Sequence, residues 1–379
     1  MSTPPSIRAL RRALLRVDVG LLVGAFGLSL LGAILVWSST RADSGTHFLI
    51  RHLFNAGVGI GLAVAVSFLH YQTLRNVAPV LYAAAIGGLI VVLSPVGTTV
   101  NGSHSWIQLP GGFSLQPAEF AKVALCLGLA IVLGEALDRH RRPSDLRVLF
   151  AWVLIGIPIA LVMLQPDLGS ALVLLALGLG TIALGGARLR WIVGAVAAGV
   201  IAVVAAMTTP VLSGYQRDRI AVFLNPSLDP AGIGYQVRQV RLAITAGGWQ
   251  GQGLFAGAQT QGGRIPYQET DFVFSAAAEE FGFLGGALLL LVLAFVVFRI
   301  LLVGARAPDA FGRLLAVGVA VWLTVQAFEN VGMNLGILPV TGLPLPFISY
   351  GGSSMFACWL AIGLVNNTHM ATRGANRRV

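Results

Sequence analysis

SLQPAEFAKVALCLGLAIVL, residues 114–133, runs from a proline into an apolar stretch that approaches the length needed to cross the roughly 30 Å hydrocarbon core of a bilayer. Two charges interrupt it. Glu119 and Lys122 stand one helical turn apart at its head, and Lys122 is the only lysine in 379 residues, the other 24 basic side chains being arginines. Such a pair either neutralises itself as a structural i, i+3 contact or lines a polar cavity in the membrane.

Composition extends the reading to the whole chain. With 56% hydrophobic and 11% charged residues and a mean hydropathy of +0.81, the sequence lies far outside soluble norms. It reads as an all-α polytopic membrane protein, a single transmembrane domain over residues 1–379. Ten apolar segments are expected as helices, near 18–37, 48–69, 77–94, 117–134, 148–165, 168–186, 191–207, 272–303, 312–333 and 354–370.

The arginines give this count a direction. Counting from a cytoplasmic N-terminus, Arg75, Arg139, Arg147, Arg188, Arg190, Arg299, Arg313 and Arg373 fall on the inner side. The short outer loops hold only Arg41 and Arg51, so both termini are expected in the cytoplasm. The net charge of +10 is then a topology signal plus attraction to anionic lipid, not a nucleic-acid footprint. The first apolar run is too long for a cleaved signal and reads as a retained helix. Cys126 and Cys358 fall inside predicted helices and give neither a disulfide nor a metal framework.

One segment breaks the run of short loops. Residues 208–271 form a long extracytoplasmic loop between helices 7 and 8, carrying Arg217, Arg219, Arg238, Arg241 and Arg264. It ends in RIPYQETDFVFSAAAEEFGFLGG, which sets Asp271 at the mouth of the eighth helix and Glu279 and Glu280 two to three turns deeper. Thr270 or Asp271 would serve as a helix N-cap. Glu279 and Glu280 cannot both be buried and ionised cheaply, so one is expected to bind an arginine or the lysine.

Taken in order, NGSHSWIQLPGGFSLQPAEFAK, LQPDLGSA, FLNPSLDPAGIGYQ, AGGWQGQGL, TDFVFSAAAEEFGFLGG and TGLPLPFISYGGSS resemble the SEDS family, whose best-known members are RodA and FtsW. The resemblance covers nearly the whole chain. It implies a bacterial plasma-membrane enzyme of ten transmembrane helices that polymerises glycan strands from lipid II beside a class B penicillin-binding protein. It also implies an essential aspartate in the TDF motif, here Asp271, and maps the family's glutamate and lysine onto Glu119 and Lys122. The chain departs at Ala118, where many relatives carry serine, at Ser105 in place of arginine, and at Val240 in place of a hydroxyl. The short segments beyond the first and last helices lean towards the RodA type.

The chemistry of such a reaction needs a base, cations for a diphosphate and a path for a polyprenyl tail. Asp271 is the candidate general base in a single inverting displacement. Arg217, Arg219, Arg238 and Arg241 form the pool for diphosphate, Arg219 and Arg241 foremost, because a guanidinium binds oxygens bidentately and keeps its charge. Gln236 of the YQ motif joins them. A divalent cation, Mg or Mn, would share that work, although no chelating spacing marks a metal site. Ser349 and Ser353 either donate to substrate or, with Ser354, cap the tenth helix. Trp106 either anchors at the headgroup level or stacks on sugar. Asp167 either caps a helix or lines the pocket, and Glu329 with Asn330 would satisfy an interhelical network. The rival classes are a lipid II flippase and a non-catalytic scaffold for the penicillin-binding protein.

Overall fold

The computed structural model describes residues 16–100, 102–110, 112–139, 141–208, 219 and 221–375. Each of the ten expected segments is helical: α1 (Val19–Ser44), α2 (His47–Ser67), α3 (Tyr71–Val92), α4 (Pro117–Asp138), α5 (Asp145–Met163), α6 (Leu168–Leu184), α7 (Leu189–Thr208), α10 (Val273–Ala305), α11 (Ala310–Leu335) and α12 (Gly352–Ala375). Between α7 and α10 lie α8 (Ile233–Gly247) and the single turn α9 (Ala258–Gln261). Among the described residues, α1 to α5, α10 and α11 are long and apolar enough to cross a membrane, and Leu168–Leu184 and Leu189–Ile201 are shorter apolar helices. The polar run Asn366, Asn367, Thr368 and His369 distinguishes α12 from those seven.

The all-α expectation needs one correction. The loop before α4 folds as a three-stranded antiparallel sheet, β1 (Gly97–Val100), β2 (Ser103–Leu109) and β3 (Phe113–Leu115), in the order β1-β2-β3. Its register pairs Thr98 with Trp106 and Ile107 with Leu115. At the end of a bundle, hairpin pairing satisfies backbone groups that a loose loop would leave open.

Bulky residues of the bundle meet small ones, the usual solution where lipid supplies no hydrophobic drive between helices. A Cβ on Gly59 of α2 would stand 2.8 Å from the ring of Trp359 in α12, and one on Gly363 would stand 2.6 Å from the carbonyl of Ala63. Of the seven long apolar helices, α4 and α11 are the most enclosed.

Ion pairs collect at one end. Asp18 caps α1 and binds Arg299 of α10 through both carboxylate oxygens, at 2.7 and 2.6 Å. Asp309 caps α11 and joins Tyr71 and Arg75 of α3, while Asp145 of α5 meets Arg188, Arg190 and Trp191. The arginines that the sequence reading grouped on the inner side therefore share one end of the bundle.

The helix α10 is broken. Gly282 adopts φ +67° and ψ −166°, and a Cβ there would lie 2.3 Å from the nitrogen of Gly251. The loop ahead of α9 fills the break, with Gln252 N–H donating to Glu279 O at 2.9 Å and Phe283 N–H to Gly248 O at 2.8 Å. This geometry also corrects the expectation that Glu279 or Glu280 binds a cation. Glu279 accepts from the backbone of Gln259 at 2.7 Å and from the backbone and hydroxyl of Thr260 at 2.9 and 2.6 Å. Glu280 accepts from Ser38, from Phe255 N–H and from Gln261. Loop amides and hydroxyls, which are invisible to charge counting, take the place of arginine.

Candidate active site

Asp271 sits in a turn just before α10. The N–H groups of Thr270 and Asp271 both fold back on the carbonyl of Tyr267, at 3.2 and 3.0 Å. The N-cap position of α10 is Phe272, without a side-chain cap, so neither Thr270 nor Asp271 has the capping role their types suggested. The Asp271 carboxylate is instead left for the space in front of it.

Four neighbours fix the backbone of that turn. Asn330 of α11 donates to the carbonyl of Asp271 at 2.9 Å and Asn334 does so at 3.2 Å. Ser349 donates to the carbonyl of Thr270 at 2.5 Å, and Tyr350 N–H to that of Glu269 at 2.8 Å. Beside the carboxylate stands Gly342, with φ +76°: a Cβ on it would lie 3.5 Å from Asp271 Oδ2 and 3.7 Å from Arg219 Nη2. Asp271 and Arg219 thus converge on one point, and the bare glycine leaves it open. Burial pushes the Asp271 carboxyl up to about 6, against the lowering influence of the Thr270 hydrogen bond and the Arg219 charge, with Glu269 adding to the rise. The Glu269 carboxyl is itself raised by burial.

Both residues line a cavity of about 440 Å³. Its other walls come from the sheet through Trp106, from the start of α4 through Gln116, from the start of α6 through Asp167, and from Ser353 in the first turn of α12. Asp167 fulfils both of its readings, since it caps α6 through Ser170 N–H at 3.0 Å and also faces the cavity, where Gln116 Nε2 donates to it at 3.1 Å. Ser353 bridges to the strand side, accepting from Gln116 N–H at 2.9 Å and donating to the carbonyl of Ser114 at 3.2 Å. Ser349 does not line the cavity and acts behind it, accepting from Leu345 N–H as well as holding Thr270.

Other expected residues lie elsewhere. Arg238 and Arg241 border a separate surface pocket on α8 with Val237 and Thr245, while Arg241 also packs on Gly336 at the end of α11 and lines a narrow cleft with Arg219 and Met333. Gln236 lines none of these spaces, and Arg217 lies outside the described residues. Neither Arg238 nor Arg241 lines the cavity that holds Asp271, a placement that a list of arginines does not reveal.

Glu119 and Lys122 also need correcting as cavity walls. They form a 2.6 Å ion pair with both side chains fully buried, and neither lines the cavity. Lys122 also donates to Gln326 at 2.7 Å and lies 5.2 Å from the centre of the Trp322 ring. Gln326 in turn donates to the carbonyl of Pro344, a cavity residue, at 2.9 Å. The pair therefore reaches the site through the proline loop. In place of an interhelical network, Asn330 ties the Asp271 turn to the loop at Leu343, and Glu329 keeps a buried Oε2 without a hydrogen-bond partner.

Two cavity residues had escaped attention: Arg51 and Asn55, one turn apart on α2. The available signal was their presence as polar groups in lipid-depth sequence. Asn334, which repeats the contact of Asn330 one turn on, carried the same signal.

Residues 13–374 match the family model FTSW_RODA_SPOVE, described as cell cycle protein. A probable peptidoglycan glycosyltransferase FtsW from Trichlorobacter lovleyi is 37% identical over 357 residues, covering 92% of each chain. The peptidoglycan glycosyltransferase MrdB of Escherichia coli K12 is 34% identical over 359 residues, covering 93% of each. A solved structure described as the structural coordination of polymerization and crosslinking by a peptidoglycan synthase complex superposes with a TM-score of 0.78 at 33% identity, covering 94% of this chain and 98% of the other.

Proposed function

Since this chain belongs to the FtsW, RodA and SpoVE family, we propose that its cavity is where a peptidoglycan glycosyltransferase joins lipid-linked disaccharides into glycan strands, with Asp271 as general base. The observation that carries the assignment is the half-buried Asp271 carboxylate converging with Arg219 on Gly342 inside the cavity. A carboxyl raised to about 6 is a stronger base than an exposed one and is still ionised at neutral pH.

In the reaction, the acceptor sugar hydroxyl attacks the anomeric carbon of a sugar held on polyprenyl diphosphate. The new C–O bond forms as the bond to phosphate breaks, the diphosphate leaves with the electron pair, and the hydroxyl proton passes to Asp271. Attack from the face away from the leaving group inverts the carbon. The departing diphosphate is already a good leaving group, so one carboxylate suffices where glycoside hydrolysis uses two. The Arg219 charge favours the ionised form of the nearby Asp271 carboxylate, and Asn330 and Asn334 hold its backbone. Among the described residues no three His, Cys, Asp or Glu side chains stand together as a metal cage. A divalent cation would enter on the substrate's diphosphate, in the way that magnesium is held by few protein ligands.

The basic end opposite the cavity supports a plasma-membrane protein with that end in the cytoplasm and the site outside. A class B penicillin-binding protein is the partner that the likeness to the synthase complex supports. The test is polymerisation of lipid II by the purified complex with wild-type chain and with D271A. Strands from wild type alone support the assignment. Equal product from both removes Asp271 from catalysis, and no product from either folded complex favours transport or scaffolding.

A further inference from the structure

Helix α12 opens into the cavity. Gly351, Gly352, Ser353 and Ser354 all line it, and the first N–H groups of a helix have no intrahelical acceptor. None of the described hydrogen bonds occupies the N–H groups of Gly352, Ser353 or Ser354. A helix start alone is not a site, but a second observation stands beside it. Asn55 of α2 is only 4% exposed, lines the same cavity, and has a buried Oδ1 with no hydrogen-bond partner. Both ends of its amide would lie 3.5 Å from a Cβ on Gly352, so it is aimed at the helix start. One turn back on α2, Arg51 also lines the cavity, with its guanidinium anchored on the carbonyl of Gly112 at 3.1 Å.

We propose that the first turn of α12, with Arg51 and Asn55, is the diphosphate subsite of the cavity, taking the phosphates of a polyprenyl diphosphate-linked sugar while Arg219 serves Asp271. The proposal rests on the glycosyltransferase reading above. Its physical grounds are independent of that reading. The positive end of the helix dipole and its open N–H groups favour an anion, and the side-chain-free Gly352 lets a phosphate oxygen approach the backbone. The Arg51 fork binds such oxygens bidentately, and the Asn55 amide can donate to phosphate and accept from a neighbouring hydroxyl. The two carboxylates of the cavity have neighbours of their own: Asp271 is beside Arg219, and Asp167 is engaged by Gln116 and Ser170.

The same phosphate chemistry occurs on a bulk lipid headgroup, so the test separates the two. Binding of undecaprenyl diphosphate to the full chain in nanodiscs is measured for wild type, R51Q, N55L, G352A and G27A, with phosphatidylglycerol as competitor and thermal unfolding as the check of folding. R51Q and N55L are each expected to weaken binding about tenfold, the loss of one good charge-assisted or buried hydrogen bond. R51K should recover part of this, having the charge without the fork. The Cβ of G352A would stand in ordinary contact with the Asn55 amide, 3.5 Å away, and would cover the bare backbone that a phosphate oxygen approaches, so it should weaken binding even if R51Q or N55L folds poorly. G27A, whose added Cβ would meet nothing within 4 Å on α1, should bind within about twofold of wild type. Unchanged affinity in folded R51Q, N55L and G352A would overturn the proposal, as would equal competition by phosphatidylglycerol. Tight, variant-sensitive binding by a wild-type chain that polymerises nothing would uphold the subsite and remove the glycosyltransferase reading.

Discussion

Asn330 donates its side-chain amide to the backbone carbonyl of Asp271 at 2.9 Å and, with the same nitrogen, to that of Leu343 at 2.8 Å. One buried amide thus sets the distance between the turn that carries the base and the loop that carries Gly342. In N330L the carbonyl of Leu343 loses its donor, at a cost of about 1–3 kcal/mol, and that of Asp271 keeps only Asn334 at 3.2 Å. Polymerisation should fall about 10- to 100-fold with little change in KM for lipid II, because the variant misplaces the base and leaves the substrate contacts in place. Steady-state kinetics on the purified complex checks this.

The rate should show an acidic limb set by Asp271. With its carboxyl raised to about 6, the ionised base dominates above that pH and is lost below it. Initial rates measured between pH 5 and 8 are expected to fall about tenfold per unit at the acidic end of the range, and a limb near the ordinary carboxylate value of 3.8 would contradict the burial.

The same shift makes a prediction about stability. A carboxyl whose folded-state value lies above its unfolded value contributes stability below about 3.8 and loses that contribution as pH rises through about 6. Asp271→Asn removes the burden of an ionised buried group. It should therefore unfold at a higher temperature than wild type at pH 7.5, by the equivalent of about 1 kcal/mol, with the difference vanishing near pH 4. Differential scanning fluorimetry at the two pH values gives the sign directly.

Lys122 is fully buried and paired, so K122M should strand Glu119 and destabilise the fold by about 3–5 kcal/mol. The double variant E119Q/K122M should recover most of that loss. Its polymerisation rate should stay about tenfold below wild type, because Gln326 loses the ammonium that orients it towards Pro344. A double variant as unstable as K122M would contradict the pairing.

At the break in α10, G282A would force a side chain into φ +67° and within 2.3 Å of the Gly251 nitrogen. A loss of more than about 2 kcal/mol is expected, read as a lowered unfolding temperature. G27A, which meets nothing within 4 Å in α1, is the control and should be near neutral.

Much of the architecture was legible because lipid imposes a coarse rule. Segments such as 117–134 and 312–333 announce themselves by apolar length, and the alternation of arginines sorts their ends. Asp271 was legible through its TDF motif, and Asp167 through its place after a proline. Arg51 and Asn55 were not weighed, since a single arginine near a helix end looks like a topology mark. The small sheet around Trp106 escaped because three short strands carry little periodicity.

The sequence alone determined the class of protein, the placing of its helices and the residue types that the chemistry requires, because burial in lipid and family motifs act on contiguous segments. The tertiary structure decided which of those residues meet. It set Asp271 and Arg219 beside Gly342, placed Arg238 and Arg241 on a pocket of α8 with Arg241 also sharing a cleft with Arg219, sealed Glu119 and Lys122 behind the proline loop, and aimed Asn55 at the start of α12. Such meetings depend on helix rotation and on contacts between residues up to hundreds of positions apart, and these are fixed by side-chain packing across the bundle, not by any local pattern.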